Sequence, residues 1–214
     1  MQSRENQTTD LAPFTIIRTE TVLSKLPIHN LAKKGRVDIQ ITQKNERGEV
    51  DLHWEVSYND RYGQPRQLAY KLDTLVISRR IDEVGRPLPK IIRLGSLNQI
   101  CESLGLTVSG RSMSDVKKAF HQNAGAYIIA KLNYKGRDGT ERHLEAGFTR
   151  YSVVFTGETL PNKTRADAVY IILNEPYWEV LDNALIRPLD YDYLKALTPS
   201  AQRFYEIISY RMFP

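Results

Sequence analysis

The 214-residue chain has a single cysteine, Cys101, so no internal disulfide framework can form, and a reducing compartment suits it. No run of 18 apolar residues occurs, which argues against a membrane-spanning helix. The opening stretch, Met1–Asp10, is polar and lacks the apolar core of a secretory signal. These absences lead us to expect a cytoplasmic protein with no membrane partner. Histidine is sparse. His29, His53, His121 and His143 are scattered, and none stands at a metal-ligand or triad spacing with Cys101. There is no Gly-x-x-x-x-Gly-Lys loop and no Gly-x-Gly-x-x-Gly turn to cradle phosphates. Twelve tyrosines could offer a DNA-nicking nucleophile, but no His-x-His pair accompanies them to hold the metal. We therefore expect no enzymatic activity, no cofactor and no metal.

Apolar residues make up 41% of the chain and charged ones 26%, the balance of a globular protein rather than a disordered one. The net charge of +5 is unevenly spread. Lys and Arg outnumber Asp and Glu by 13 to 12 over residues 1–85 and by 11 to 5 over residues 86–150. Over residues 151–214 the acids lead by 8 to 6, so the cationic excess belongs to the middle third. A localised basic excess is what a nucleic-acid partner requires, although mild basicity alone does not demand one.

Residues 1–12 read as a disordered leader and 13–71 as a β-rich extension. Within that extension, 21–28 and 37–42 have strand-like composition. In Asp51–Tyr58, Leu52, Trp54 and Val56 alternate with His53, Glu55 and Ser57, the period of a half-buried strand. A turn at Asn59–Gly63 then allows Gln67–Lys71 to return as its partner strand. Residues 73–83 carry β-branched Val76 and Ile77 but fit a helix better, with Asp73 as its N-cap.

Residues 96–123 are the most informative. Ser96 with Gln99 forms a capping box, and Leu97, Ile100, Cys101 and Leu104 then make one apolar stripe. Gly105 stands where a left-handed C-terminal cap belongs. Ser112 with Asp115 signals a second helix, with Met113, Val116, Phe120 and Ala124 inside. Ser114, Lys117, Lys118 and His121 line its other side, flanked by Arg111 and Gln122. Such donor-rich side chains suit phosphates and base edges, although a merely solvated helix face has the same composition. Two strands, 126–135 and 141–155, follow around Gly136-Arg137-Asp138-Gly139, a hairpin signal. Helix, turn, helix and hairpin is the order of a winged helix, with Lys135, Arg137 and Arg142 on its wing and 91–94 as a short third strand. The expected class is thus α+β: a winged helix over 72–174, with C-terminal helices over 175–214.

From Leu72 onward, about two-thirds of the chain, the sequence resembles the plasmid replication initiators of the replication initiator protein A type. The resemblance rests on Ile91–Leu97, Val116–Phe120, Phe148–Phe155, and Arg187–Leu194 with Ala201–Glu206. It implies a winged-helix protein that binds repeated origin sites in double-stranded DNA, works with host replication proteins and catalyses nothing. It also implies a second winged-helix domain beyond this one. The helix opening at Pro199-Ser200, with Leu197, Ala201, Tyr205, Ile208 and Met212 on one face, either packs on the first domain or begins that second one. Two further readings use the same residues: a winged-helix transcriptional regulator, and a protein-interaction module. A homodimer contacting through 13–71 is compatible with each.

Overall fold

The structure, a computed structural model, describes residues 15–212, so the leader expected at 1–12 lies outside the described residues. It is a mixed α and β chain with three antiparallel sheets. Strand β1 (Ile16–Glu20) pairs with β9 (Ile186–Asp190), joining the two ends of the described chain. Strands β2 (Ile39–Lys44), β3 (Val50–Ser57), β5 (Tyr127–Lys135) and β6 (Glu141–Thr149) form a four-stranded sheet in that order. Its inner face carries Trp54, Val56, Ile128, Ala130 and Leu132, all buried, as alternation predicts. A third sheet has the order β4 (Ile91–Gly95), β8 (Val169–Leu173), β7 (Tyr151–Val154).

Residues 21–28 form turns rather than a strand. The Glu20 carboxylate accepts from the amides of Val22 and Leu23 at 2.6 and 2.7 Å, which bends the chain as β1 ends. Gln67–Lys71 is helical (α1) and not a returning strand, since the partner of β3 comes from the distant β5. Its helix continues through a π-helical stretch, Leu72–Ile77, into α2 (Ser78–Val84). Asp73 is therefore not an N-cap. It lies inside the helix, and all six residues of the π-helical stretch are buried.

The capping box at Ser96 and Gln99 is present and opens α3 (Leu97–Ser103). Gly105 takes φ +71, and the Leu106 amide reaches back to the Cys101 carbonyl at 2.9 Å, closing the helix as expected. Helix α4 (Gly110–Ala124) starts earlier than predicted: Ser109, not Ser112, is the cap, its hydroxyl accepting from the Ser112 amide. Beyond the sheets come α5 (Glu175–Asn183), α6 (Tyr191–Ala196) and α7 (Pro199–Met212).

The predicted strand 141–155 is broken at Arg150. Its N-terminal part, β6, pairs with β5, whereas β7 crosses to β8 in another sheet. The cause is a buried ion pair. The Arg150 guanidinium turns inward to Asp73 at 2.5 Å. The same carboxylate accepts from the Tyr151 hydroxyl and from the Asn123 side-chain amide, each at 3.0 Å, while His29 lies 3.0 Å away. The stretch 91–94 likewise belongs with β8 and not with the β5–β6 hairpin.

Candidate nucleic-acid interface

Helix α4 is amphipathic in a usable sense. Val116, Ala119 and Phe120 are buried against the main core, and Arg111, Ser114, Lys117 and Lys118 are exposed on the other side, along with Asp115. Ser112 is half-buried, its hydroxyl 3.0 Å from that of Ser109. Among the described residues, Arg111, Lys117 and Lys118 have no carboxylate partner within ion-pair distance. Three cations held on one rigid element and left unpaired are available to an external anion.

Asn123 anchors the helix from inside. Fully buried, it donates to the Ala69 carbonyl at 2.8 Å and to Asp73 at 3.0 Å, and its carbonyl oxygen lies 3.1 Å from His29. Burial alone would raise the Asp73 pKa, but the Arg150 charge, with help from His29, outweighs it and holds the carboxyl below its ordinary value. Tyr151, beside the same carboxylate, is pushed well up by burial and then by the Asp73 charge. Asp73 is thus an anion and Tyr151 a neutral donor across the range in which the protein is folded. This anchor escaped the sequence reading, because Asp73 and Asn123 look locally like a cap and a surface amide.

The last turn of α4 is less free than predicted. His121 stacks on Tyr62, ring centroids 4.5 Å apart and planes 15° from parallel, and tilts against Phe155 at 5.5 Å. Burial, then the charges of Arg61 and Lys117, lowers its pKa, so His121 is a neutral ring at neutral pH. Gln122 donates an amide proton to the Tyr62 carbonyl at 3.0 Å. The turn 59–63 therefore clasps α4 and brings Arg61 to it, the guanidinium 5.6 Å from the Tyr62 ring centre. Arg61 went unnoticed in the sequence because its turn is distant along the chain from α4.

The two hairpins differ in how their cations are used. At the β5–β6 tip, Lys135 is exposed without an ion-pair partner among the described residues, but Arg137 is docked. Its amide donates to the Asn183 carbonyl at 2.8 Å and its guanidinium to the Asp182 carbonyl, at the end of α5. Arg142 pairs with Asp138 at 2.8 Å. Hydrogen bonds from Thr140, and then Arg142, hold the Asp138 carboxyl down at about 2. The loop between β7 and β8, in contrast, begins beside α4: Phe155 meets Phe120 edge-on at 5.9 Å, and the Lys117 ammonium lies 5.4 Å from the Phe155 ring centre. Lys163 and Arg165 are exposed on this loop. Lys163 holds φ +68 in a turn closed by a 2.9 Å bond from the Leu160 amide to the Thr164 carbonyl.

Among the described residues, no group of three His, Cys, Asp or Glu side chains is placed to hold a metal, and no helix is long and apolar enough to cross a membrane. No protein-family model matches the chain, and no curated protein matches its sequence. Solved structures do. A crystal structure of domains 2 and 3 of RctB aligns with 89% of this chain and 69% of its own length, at TM-score 0.52 and 9% identity. A second RctB structure of domains 2 and 3 aligns with 86% of this chain and 64% of its own, at TM-score 0.47 and 11% identity. At such identities the first likeness shows a shared fold.

Proposed function

We propose that the chain binds double-stranded DNA sequence-specifically through α4 and serves as a replication initiator at repeated origin sites. The observation that carries this reading is the unpaired cationic face of α4, beside a hairpin loop bearing two more exposed cations. In order, the helix ending at α2, then β4, α3, α4, β7, a loop and β8, with the sheet β4-β8-β7, follow the plan of a winged helix. On that plan the wing is the β7–β8 loop, with Lys163 and Arg165, and the β5–β6 hairpin is an insertion that extends the neighbouring sheet. Arg111, Ser114, Lys117 and Lys118 then face the groove and Arg61 the flanking backbone. Gln122 and His121 support α4, and Lys135 lies at the end of the insertion. The fold likeness to RctB, a replication initiator, supports the same reading.

Selection of sites from random duplex DNA tests it directly. Wild-type protein is expected to enrich a defined motif whose affinity falls with salt. Lys117→Ala/Lys118→Ala is expected to weaken binding and to reduce the salt slope by about two, roughly one for each phosphate no longer neutralised. Directly repeated copies of the motif should bind better than inverted ones if the protein is an initiator, and the reverse would favour a dimeric regulator. Failure to enrich any motif would overturn the DNA-reading role of α4.

A further inference from the structure

Helix α7 is built inside out. The residues it buries are polar, with Gln202 at 0% exposure and Glu206 and Ser209 nearly so. Each is satisfied at least in part from within: Gln202 donates to the Leu194 carbonyl at 2.7 Å, Ser209 to the Glu206 carbonyl at 2.8 Å, and Glu206 accepts from Arg203 at 3.2 Å. Arg187, from β9, donates to the Glu206 carbonyl at 2.9 Å, and Arg203 to the carbonyls of Ser24 and Lys25. The helix is therefore pinned by hydrogen bonds, and its apolar stripe faces outward. Phe204, Ile208 and Met212, spaced four apart, are 66%, 40% and 69% exposed, and Ile207 beside them 45%. Exposed Tyr193, on α6, lies edge-on against Tyr205 at 5.1 Å and lengthens the patch.

We propose that this patch is a self-association surface, and that its occupant is α7 of a second copy in antiparallel, two-fold contact. The inference stands apart from the DNA-binding reading. Two arguments select a second copy. The five side chains expose about 500 Å² of mostly apolar surface, taking the usual areas of large side chains, so two copies would cover about 1,000 Å², near the lower bound for a specific interface. The charges at the patch ends are also self-complementary. Exposed Arg211 lies at the C-terminal end of α7, and exposed Asp192 on α6, which flanks its N-terminal half through the Tyr193–Tyr205 contact. An antiparallel pairing centred on Ile208 brings Arg211 of each copy towards Asp192 of the other, and such an isologous contact closes on itself.

Sedimentation over a range of concentrations tests the proposal. The wild type is expected to show a monomer–dimer equilibrium, and Phe204→Glu/Ile208→Glu to remain monomeric with an unchanged circular dichroism spectrum. A second variant guards against misfolding. Ile208→Cys near the two-fold axis should give a disulfide-linked dimer under mild oxidation, while Cys101, fully buried, should not react. A wild type that stays monomeric throughout, a dimer indifferent to both glutamates, or no crosslink through position 208 would overturn it.

Discussion

Asp73 is the residue on which several elements converge, and its burial makes any change there strongly destabilising. A carboxylate out of water is tolerated only while its partners remain, and here Arg150, Tyr151, Asn123 and His29 surround it. Asp73→Asn leaves Arg150 as an uncompensated buried cation and is expected to cost about 3–5 kcal/mol of folding stability in urea titrations. The pH dependence follows from the lowered pKa. An acid depressed in the folded state stabilises the fold above its unfolded value, about 3.9, and loses that contribution as pH falls through the folded value. Wild-type stability should therefore decline on acidification below about pH 4 more steeply than that of Asp73→Asn. Glu20 acts oppositely: burial raises its pKa, so its contribution is present at low pH and lost as pH rises through that raised value. It is common to both proteins and drops out of the comparison. An equal acid slope in the two proteins would show that Asp73 does not carry the effect.

At the scale of single elements, the two hairpins should separate stability from binding. Arg137→Ala removes the tether between the β5–β6 tip and α5 and is expected to lower stability by about 1 kcal/mol, with DNA affinity unchanged. Lys163→Ala/Arg165→Ala should do the reverse, weakening DNA binding in a salt-dependent way with little effect on melting. A fluorescence anisotropy titration beside a thermal melt distinguishes them, and a loss of affinity from Arg137→Ala alone would return the wing to residues 135–142. The turn that orders α3 before α4 has a similar local test. Gly105 holds φ +71 with open space around it, so Gly105→Ala meets no clash and incurs only backbone strain, about 1 kcal/mol in urea titrations.

Across the whole molecule, one large core runs from Val22 to Ala184 and includes Trp54 from the four-stranded sheet and Phe120 from α4. Trp178 on α5 packs against the same core. The β1–β9 pair adds a second cluster with Leu75, Tyr191 and Leu194, joining the described chain ends through the π-helical stretch. The described residues are therefore expected to unfold together: tryptophan fluorescence and far-ultraviolet circular dichroism should report the same urea midpoint. Two separated midpoints would mean that residues 13–71 form an independent unit after all.

The elements whose character is set by near neighbours were legible in the sequence. Capping at Ser96 and Gln99, the left-handed Gly105, the alternation in β3 and the polar side of α4 each depend on residues within a turn or two, so the local pattern carried them. What tertiary structure alone decided was partnership. A strand's alternation is the same whichever strand it pairs with, so nothing local assigned β4 to β8, or parted β7 from β6. The burial of Asp73 likewise needed Arg150 from far along the chain, and the inverted faces of α7 followed from hydrogen bonds with residues 24, 25, 187 and 194. Long-range pairing moved the second cationic element of the candidate interface from the first hairpin to the loop beside Phe155, because position in space and not order in sequence brings charges to one surface.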